Sequence, residues 1–227
     1  MFITFEGVDG SGKTTQARLT ADYLRHHGHN VLLTREPGGT PIGDQIRGIL
    51  LDNMDNVDMH ARTELLLFCA SRAQLVAEVI VPHLKAGGVV ICDRYIDSTY
   101  AYQGYGHGLN LKALRQVVSF ATDNLLPDVT LYLEIAPEVA LQRRASGTLF
   151  GEDWNRLDDK ELDFHQRVYR GYRELILQEP ARFIEVSANR EPHAVQHDIR
   201  RALAEWLDLP PQPRPADWPN GKSHKKD

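Results

Sequence analysis

The sequence predicts an α/β fold with a five-stranded, mostly parallel sheet covered by helices on both faces. Short apolar runs alternate along the chain with segments of helical periodicity, which is the pattern of repeated strand–helix units. The first run leads directly into a glycine-rich turn and a helix, an arrangement typical of the ligand-binding edge of such a sheet. The composition agrees, since 227 residues with 42% hydrophobic and 25% charged residues suit one large α/β domain.

The first elements alternate as this fold requires. A short apolar strand is predicted over 3–5, and a helix over 16–24, where apolar residues recur with helical spacing. The apolar run 31–34 predicts a second buried strand. Proline and glycine mark a turn at 36–40, and a helix follows over about 43–51.

The middle of the chain begins with a long helix, predicted from about 61 to 84, with an irregularity expected at Pro82. The pair Gly87 and Gly88 ends this helix, and the apolar run 89–92 is the third predicted strand. The next element that the periodicity predicts is a helix over 112–122.

The last third of the chain repeats the alternation. A strand over 129–133 leads to a helix that opens at Pro137, because proline suits the first turn of a helix. Residues 146–158 are polar and contain glycine, which predicts a loop, and a helix follows over about 159–178. The fifth strand is predicted over 183–186.

A last helix is predicted to end near Leu207, which closes a single predicted domain over 1–207. Residues 208–227 are rich in proline and then in lysine, a composition typical of a disordered tail. We therefore expect one globular unit followed by a short solvated segment.

Residues 7–14 read Gly-Val-Asp-Gly-Ser-Gly-Lys-Thr, a complete G-x-x-x-x-G-K-[ST] phosphate loop. Backbone N–H groups of such a loop surround phosphates, and the helix that follows directs its N-terminus at them. Lys13 would reach the β- and γ-phosphate oxygens, and the Thr14 hydroxyl would bind Mg²⁺. The motif predicts a nucleoside triphosphate ligand, and it leaves open whether the chain is a kinase, a GTPase or a motor.

Two other groups of residues suit a phosphorylated ligand with a planar base. Asp93 and Arg94 directly follow the third strand, where a carboxylate can hold Mg²⁺ through water and an arginine can clamp a phosphate. Phe68 and Arg72 are four residues apart on a predicted helix and therefore share a face. An aromatic plane beside a guanidinium suits a base with a carbonyl group. A surface ion pair and an ordinary core aromatic are the alternatives.

Composition argues against several classes of function. A formal net charge of −5 argues against broad nucleic-acid binding. Cys69 and Cys92 lie in apolar runs, which favours reduced core thiols over a disulfide framework. The first residues lack the pattern of a signal peptide, and we expect no apolar stretch that approaches the roughly 20 residues of a membrane span. The expected location is the cytoplasm, with no membrane partner.

Four motifs, taken in order, resemble those of the bacterial thymidylate kinase family across residues 1–207. They stand at 5–16 (FEGVDGSGKTTQ), 34–40 (TREPGGT), 93–98 (DRYIDS) and 101–104 (AYQG). The resemblance implies a P-loop kinase fold with a lid loop. It also implies transfer of the γ-phosphoryl group of ATP to dTMP with Mg²⁺ as cofactor, which yields dTDP and ADP for dTTP biosynthesis. A homodimer formed through the helix around 61–84 is implied as well.

The resemblance assigns residues to an acceptor site for dTMP. Phe68 resembles the residue that stacks on thymine, and Arg72 the one that bonds a base carbonyl. Gln103 would face the base, and Tyr102 would fill the space that a ribose 2′-hydroxyl needs. Asp9 would accept a hydrogen bond from the sugar 3′-hydroxyl. The remaining implied contacts are Glu36, Pro37, Arg47, Arg94, Ser98 and Thr99, of which Arg47 and Arg94 resemble the clamps on the dTMP phosphate.

The donor site and the catalytic residues follow from the same resemblance. The implied ATP site comprises Gly7, Val8, Asp9, Gly10, Ser11, Gly12, Lys13, Thr14, Thr15, Arg143 and Arg144. The implied metal residues are Thr14 and Asp93. Lys13, Arg94, Arg156 and Asp9 are the catalytic candidates, because phosphoryl transfer needs positive charge around the transferring oxygens.

A lid is expected over about 143–158. Some members of the family carry an arginine at the position of Gly10, and members with glycine there take their arginines from the lid. The stretch Asn155-Arg156-Leu157-Asp158 resembles the lid signature, so Arg156 is the predicted ligand of the γ-phosphate. Arg143 or Arg144 would instead lie against adenine. The segment 149–154 is unfamiliar for the family, and a solvated basic loop is the alternative.

Two other activities are compatible with a phosphate loop in such a chain. A deoxynucleoside kinase would phosphorylate a hydroxyl group, which would leave Arg47 and Arg94 without a purpose. A nucleotide switch that reads guanine would ordinarily carry an N-K-x-D motif, and no asparagine in the sequence is followed by lysine.

Overall fold

Five parallel strands form a single sheet in the computed structural model of the chain, which describes residues 1–51, 59–146 and 162–207. The strands are β1 (Phe2–Glu6), β2 (Val31–Arg35), β3 (Val89–Asp93), β4 (Val129–Glu134) and β5 (Phe183–Ser187). Their order across the sheet is β2-β3-β1-β4-β5, and every pairing is parallel. The predicted class, the number of strands and their direction are confirmed.

The three central strands are buried on both faces. All residues of β1 and β3 are buried, as are the first five residues of β4. Side chains of a strand alternate between its two faces, so burial of consecutive residues means that helices cover both faces. Runs such as Val-Val-Ile-Cys in β3 have the apolar, β-branched composition that this double burial favours.

Helices connect the strands along the chain. They are α1 (Lys13–His26), α2 (Pro41–Leu51), α3 (Ala61–Leu75), α4 (Val81–Lys85), α5 (Ile96–Thr99), α6 (Leu111–Thr122), α7 (Pro137–Ala145), α8 (Leu162–Gln178) and α9 (Pro192–Leu207). Each helix that the periodicity predicted is present, with ends that differ by a few residues. The predicted lid loop beyond Ser146 and the predicted tail over 208–227 lie outside the described residues.

The predicted long helix is present, but its irregularity lies ahead of the proline. A π-helical segment, Val76–Ile80, joins α3 to α4, and Pro82 is the second residue of α4. Proline has no N–H to donate to the preceding turn, and a π-helical turn is a common way to accommodate such a break. The irregularity was expected at Pro82 itself, and it lies about one turn before that residue.

The same helical run corrects the expectation about apolar stretches. Ala61–Lys85 spans 25 residues and is long and apolar enough to cross a membrane, by length and composition only. Core helices of globular proteins meet the same criteria. Within the run, Glu64 and Arg72 are buried and bond to side chains of other elements, which is the setting of a core helix.

The segment between β3 and α6 is helical, which the periodicity did not predict. A π-helical segment, Tyr100–Gly106, continues α5 and packs against α8. The approach is close at Gly106, where a Cβ atom would lie 2.8 Å from the Phe164 ring. Tertiary packing stabilises this turn, because its tyrosine and glycine residues are weak helix formers.

Candidate functional site

The phosphate loop forms the turn between β1 and α1. Gly7, Gly10 and Gly12 have φ angles of 146°, 84° and 89°, a region that side chains rarely adopt. Gly12 is the N-cap of α1 and has no side chain to satisfy the first N–H groups of the helix. The buried Ser11 hydroxyl has no hydrogen-bond partner among the described residues. These donors are arranged to bind a polyphosphate.

Lys13 and Thr14 are the first residues of α1. Lys13 is buried, and its Nζ donates to the Val8 carbonyl oxygen at 2.9 Å. Thr14 Oγ1 donates to Asp93 Oδ2 at 2.5 Å, because β1 and β3 are neighbours whose carboxyl ends meet at one edge of the sheet. A hydroxyl and a carboxylate are oxygen ligands of the kind that Mg²⁺ takes together with phosphates. The described residues hold no cluster of three or more His, Cys, Asp or Glu side chains suited to a metal.

Gly10 lies against the backbone of α7. A Cβ atom at this position would collide with the carbonyl group of Ala140, and the φ angle of 84° is itself unfavourable for a side chain. An arginine could not replace Gly10 unless α7 moved. The packing agrees with the expectation that positive charge reaches the phosphates from another segment.

The two arginines at the end of α7 have different surroundings. Arg143 donates to the Ala188 carbonyl oxygen and to Asn189 Oδ1, both at 3.0 Å, in the loop that follows β5. Arg144 is buried, and its charge helps to lower the pKa of Asp9. The structure thus places Arg143 toward the loop after β5 and Arg144 toward the phosphate loop. Arg156 lies outside the described residues.

Asp9, Arg94 and Tyr102 form one bonded cluster beside the phosphate loop. Arg94 Nη2 pairs with Asp9 Oδ1, and the Tyr102 hydroxyl donates to Asp9 Oδ2 at 2.6 Å. Burial alone would raise the pKa of Asp9, but the charges of Arg94 and Lys13 outweigh it and hold the pKa well below its usual range. The Asp9 carboxylate is therefore ionised and can accept further hydrogen bonds.

Arg94 has an unusual backbone conformation at the centre of this cluster. Its φ angle is 70°, which costs a residue other than glycine on the order of 1–3 kcal/mol. Its N–H donates to the Phe5 carbonyl oxygen at 3.0 Å, and its Nη1 donates to the Gly7 carbonyl oxygen at 3.2 Å and to Ser98 Oγ at 2.9 Å. These contacts offset the strain and fix the guanidinium at the edge of the phosphate loop.

Glu6 supports the cluster, a role that no motif in the sequence predicted. Its carboxylate accepts from Ser98 Oγ at 2.6 Å, from the Tyr172 hydroxyl at 2.9 Å and from the Tyr95 N–H at 2.8 Å. Burial and the nearby Asp97 raise the pKa of Glu6 to about 7, although the Ser98 hydrogen bond and the Arg94 charge oppose the shift. The only signal in the sequence was its position directly before Gly7.

A buried ion pair fixes α5, the helix that carries Ser98. Asp97 forms a two-pronged contact with Arg182, at 2.7 Å to Oδ2 and 2.9 Å to Oδ1. Arg182 also donates to Thr130 Oγ1 at 2.6 Å. The turn after β3 is thereby held by residues of β4 and by the residue that precedes β5. This network was not predicted either.

The predicted base contacts lie where α3 faces α5 and the π-helical segment after it. Glu64, Phe68 and Arg72 are one turn apart on α3 and share a face. Arg72 Nη2 donates to Thr99 Oγ1 at 2.9 Å, and Gln103 Nε2 donates to Glu64 Oε1 at 2.8 Å. The half-buried Phe68 therefore lies between two bonded pairs that join these helices.

Arg72 is buried, yet its guanidinium is only partly satisfied. Its Nε and Nη2 contact Glu36 Oε2 at 2.7 and 2.6 Å. Its Nη1 has no hydrogen-bond partner among the described residues. A buried donor without a partner costs about 1–3 kcal/mol, and an oxygen atom of a ligand would remove that cost. This unpaired donor supports the predicted bond from Arg72 to a base carbonyl.

The other predicted acceptor residues have the following positions. Ser98 Oγ donates to Glu6 Oε2 and accepts from Arg94 Nη1, on the side of the cluster that faces the phosphate loop. Arg47 donates from Nη1 to the Pro37 carbonyl oxygen at 3.0 Å, in the turn that also carries Glu36.

Comparison with known proteins gives a consistent result. Residues 5–199 match the family described as thymidylate kinase. A thymidylate kinase from Roseiflexus castenholzii is 49% identical over 221 residues, covering 93% of this chain and 96% of the relative. One from Herpetosiphon aurantiacus is 47% identical over 234 residues, covering 94% and 95%. The crystal structure of a thymidylate kinase from Ehrlichia chaffeensis is 34% identical, with a TM-score of 0.73 and coverage of 89% and 98%.

Proposed function

This chain belongs to the thymidylate kinase family, and we propose on that premise a role for each part of the described site. The chain is an ATP-dependent kinase that phosphorylates dTMP. The observation that carries the assignment of roles is the pairing of Asp9 with Arg94. Asp9 belongs to the phosphate loop and Arg94 to the strand end that faces it, so the donor and acceptor halves of the site meet at this pair.

In the donor half, the phosphate loop and the first turn of α1 bind the phosphates of ATP. Lys13 moves from the Val8 carbonyl oxygen to the β- and γ-phosphates when the nucleotide binds. Mg²⁺ would be held at Thr14 and Asp93, and when bound it neutralises charge on the phosphates. Arg143 takes the adenine side, and Arg156 of the lid supplies charge at the γ-phosphate, because Gly10 leaves no room for an arginine in the loop.

In the acceptor half, thymine stacks on Phe68 and accepts a hydrogen bond from Arg72 Nη1. The Tyr102 ring excludes a ribose 2′-hydroxyl, while Asp9 accepts from the 3′-hydroxyl. Arg94 clamps the dTMP phosphate, and Arg47 approaches it from the turn at Pro37. Selectivity for the deoxynucleotide then rests on steric exclusion and on buried hydrogen bonds that a wrong acceptor leaves unpaired.

A coupled assay of ADP release tests this function against its two rivals. We expect multiple turnovers that depend on dTMP, with little activity on thymidine or on the purine monophosphates. A preference for thymidine would indicate a deoxynucleoside kinase. ADP release that needs no acceptor and stops after one turnover would indicate a nucleotide switch.

Phe68→Ala and Arg72→Ala test the base contacts. Each substitution should weaken dTMP binding by about 1–3 kcal/mol, through lost stacking area in the first and an unpaired base carbonyl in the second. Isothermal titration with dTMP measures the loss, and Thr63→Ala, at an exposed position of α3, is the matched control. Wild-type affinity in both folded variants would mean that this face of α3 is ordinary core.

The chain forms a homodimer through α3 and its neighbour α6 in this proposal. Leu66 on α3 is 58% exposed and Phe120 on α6 is 91% exposed, and the two helices are in contact. Leu66→Glu should shift the sedimentation coefficient toward that of a monomer, since a charge in an apolar interface is unfavourable. Leu177→Glu on α8, also at an exposed position, should not. A wild-type chain that sediments as a monomer at micromolar concentration would contradict the proposal.

We also propose that the enzyme acts in the cytoplasm without a nucleic-acid or membrane partner. A formal net charge of −5 supports the first point. The bonding of Glu64 and Arg72 inside the fold supports the second, since it places the apolar run Ala61–Lys85 against other elements of the chain.

A further inference from the structure

A site that accepts thymine has to distinguish it from cytosine, because the hydrogen-bonding edges of the two bases have a similar shape. Thymine presents an O4 acceptor and an N3–H donor, whereas cytosine presents an N4 amino donor and an N3 acceptor. Arg72 Nη1 is a donor and suits O4. A second group, next to it, must accept a hydrogen bond from N3–H if the site is to reject cytosine at both positions.

Gln103 is the amide that the proposed function places at the base, and an amide is ambiguous in this respect. Its oxygen accepts and its nitrogen donates, and the two ends exchange when the side chain turns by half a revolution. With the oxygen toward the base the site fits thymine. With the nitrogen toward the base the amide fits N3 of cytosine. The orientation of Gln103 therefore determines whether the site rejects cytosine at N3, in addition to the mismatch between Arg72 Nη1 and the N4 amino group.

Glu64 has the geometry to set that orientation. It is completely buried, Gln103 is 1% exposed, and Gln103 Nε2 donates to Glu64 Oε1 at 2.8 Å. Because Glu64 accepts this hydrogen bond, it holds the nitrogen end of the amide and turns the oxygen end away. His107 Nε2 lies 3.1 Å from the same Glu64 oxygen.

Glu64 lies on the same face of α3 as the residues of the base slot, the space beside Phe68 where the base is proposed to bind. Glu64 and Arg72 are two turns apart on α3, and Phe68 lies midway between them. Across the slot, Gln103 follows Thr99 by four residues, and Thr99 bonds Arg72. The two bonded pairs thus lie on the face of α3 that carries Phe68, one with the donor Arg72 and the other with the amide of Gln103.

We propose that Glu64 is a specificity-determining positioning residue, which orients the Gln103 amide so that the site accepts thymine and uracil and rejects cytosine. This inference rests on the proposed function, since it assumes that Phe68, Arg72 and Gln103 contact the base. Glu64 itself acts through Gln103 and does not touch the acceptor.

Glu64→Gln tests the inference, because it keeps the volume of the side chain and lets Gln103 turn. We expect the ratio of kcat/KM for dTMP to that for dCMP to fall by about 10- to 100-fold, the discrimination that one paired base edge gives. The ratio for dTMP to dUMP should stay within about twofold, since thymine and uracil share the edge that Gln103 reads. A general loosening of the slot would change both ratios.

Gln103→Met is the second test of the inference, because it removes the amide that Glu64 is proposed to orient. It should lower the dTMP to dCMP ratio with Glu64 still in place, and adding Glu64→Gln in that background should lower the ratio no further. Thr63→Ala is the matched control on α3. An unchanged dTMP to dCMP ratio in Glu64→Gln, or an equal further fall in the double variant, would overturn the inference. Absence of dTMP phosphorylation by the unmodified chain would instead overturn the proposed function.

Discussion

Lys13→Ala is expected to lower the rate of phosphoryl transfer by about 10²- to 10³-fold, the usual effect of removing one preorganised group at a developing charge. The transferring phosphoryl group carries charge on three oxygens, and Lys13 is a buried cation at the start of α1. Single-turnover kinetics with ATP and dTMP measures the loss directly, because product release does not limit that experiment.

The acceptor site should be little affected by this change. Asp9 keeps its ion pair with Arg94 and its bond from Tyr102, so dTMP affinity measured by titration should be close to that of the unmodified chain. Arg18→Ala, at an exposed position of α1, is the matched control for the removal of a cation. Near-normal turnover in a folded Lys13→Ala protein would refute the assigned role.

Arg156→Ala should lower kcat by about 10³-fold, or about 4 kcal/mol, with a much smaller change in the KM for dTMP. The reason lies in Gly10, whose packing against Ala140 excludes a side chain at this position of the phosphate loop. An arginine that approaches as the phosphoryl group separates stabilises the transition state more than the ground state, and such a contact affects kcat.

Two neighbouring arginines provide the comparison for this experiment. Arg143 is engaged by Ala188 and Asn189, so Arg143→Ala should act mainly on the KM for ATP. Arg144 lies near Asp9 and is the alternative source of catalytic charge. An intact kcat with a large KM change in Arg156→Ala, together with a large loss of kcat in Arg144→Ala, would transfer the catalytic role to Arg144.

Local patterns were sufficient to predict most of the fold. The five strands are short apolar runs, and the periodic helices are amphipathic or bounded by proline and glycine, so each is visible within its own segment. The helical turn from Ile96 to Gly106 was missed because its stability comes from packing against α8, which lies about 60 residues further along the chain. The irregularity of the long helix was expected at Pro82 and lies before α4. The position of a proline does not determine which turn of the helix departs from α-helical geometry.

The same distinction between local motifs and distant contacts applies to the candidate site. The residues of the phosphate loop and Asp93, Arg94 and Tyr102 were predictable because short motifs carry them. Ser98 was predicted near the base by its motif, and in the structure its side chain bonds to Glu6 and Arg94. Glu6 and Glu64 were missed because a buried carboxylate is recognised by its partners, and those partners come from distant parts of the chain.

The contact between Asp97 and Arg182 also has a consequence for the order in which the enzyme becomes functional during synthesis. The central strand β1 has no neighbours in the sheet until β3 and β4 have been synthesised. Parallel pairings between strands so far apart in the sequence form slowly. Glu6 further needs Tyr172, and Asp97 needs Arg182, 85 residues later. A chain emerging from the ribosome therefore gains both sheet neighbours of its nucleotide-binding strand only after β4 has emerged, and its complete acceptor cluster only after Arg182, which directly precedes β5, has emerged.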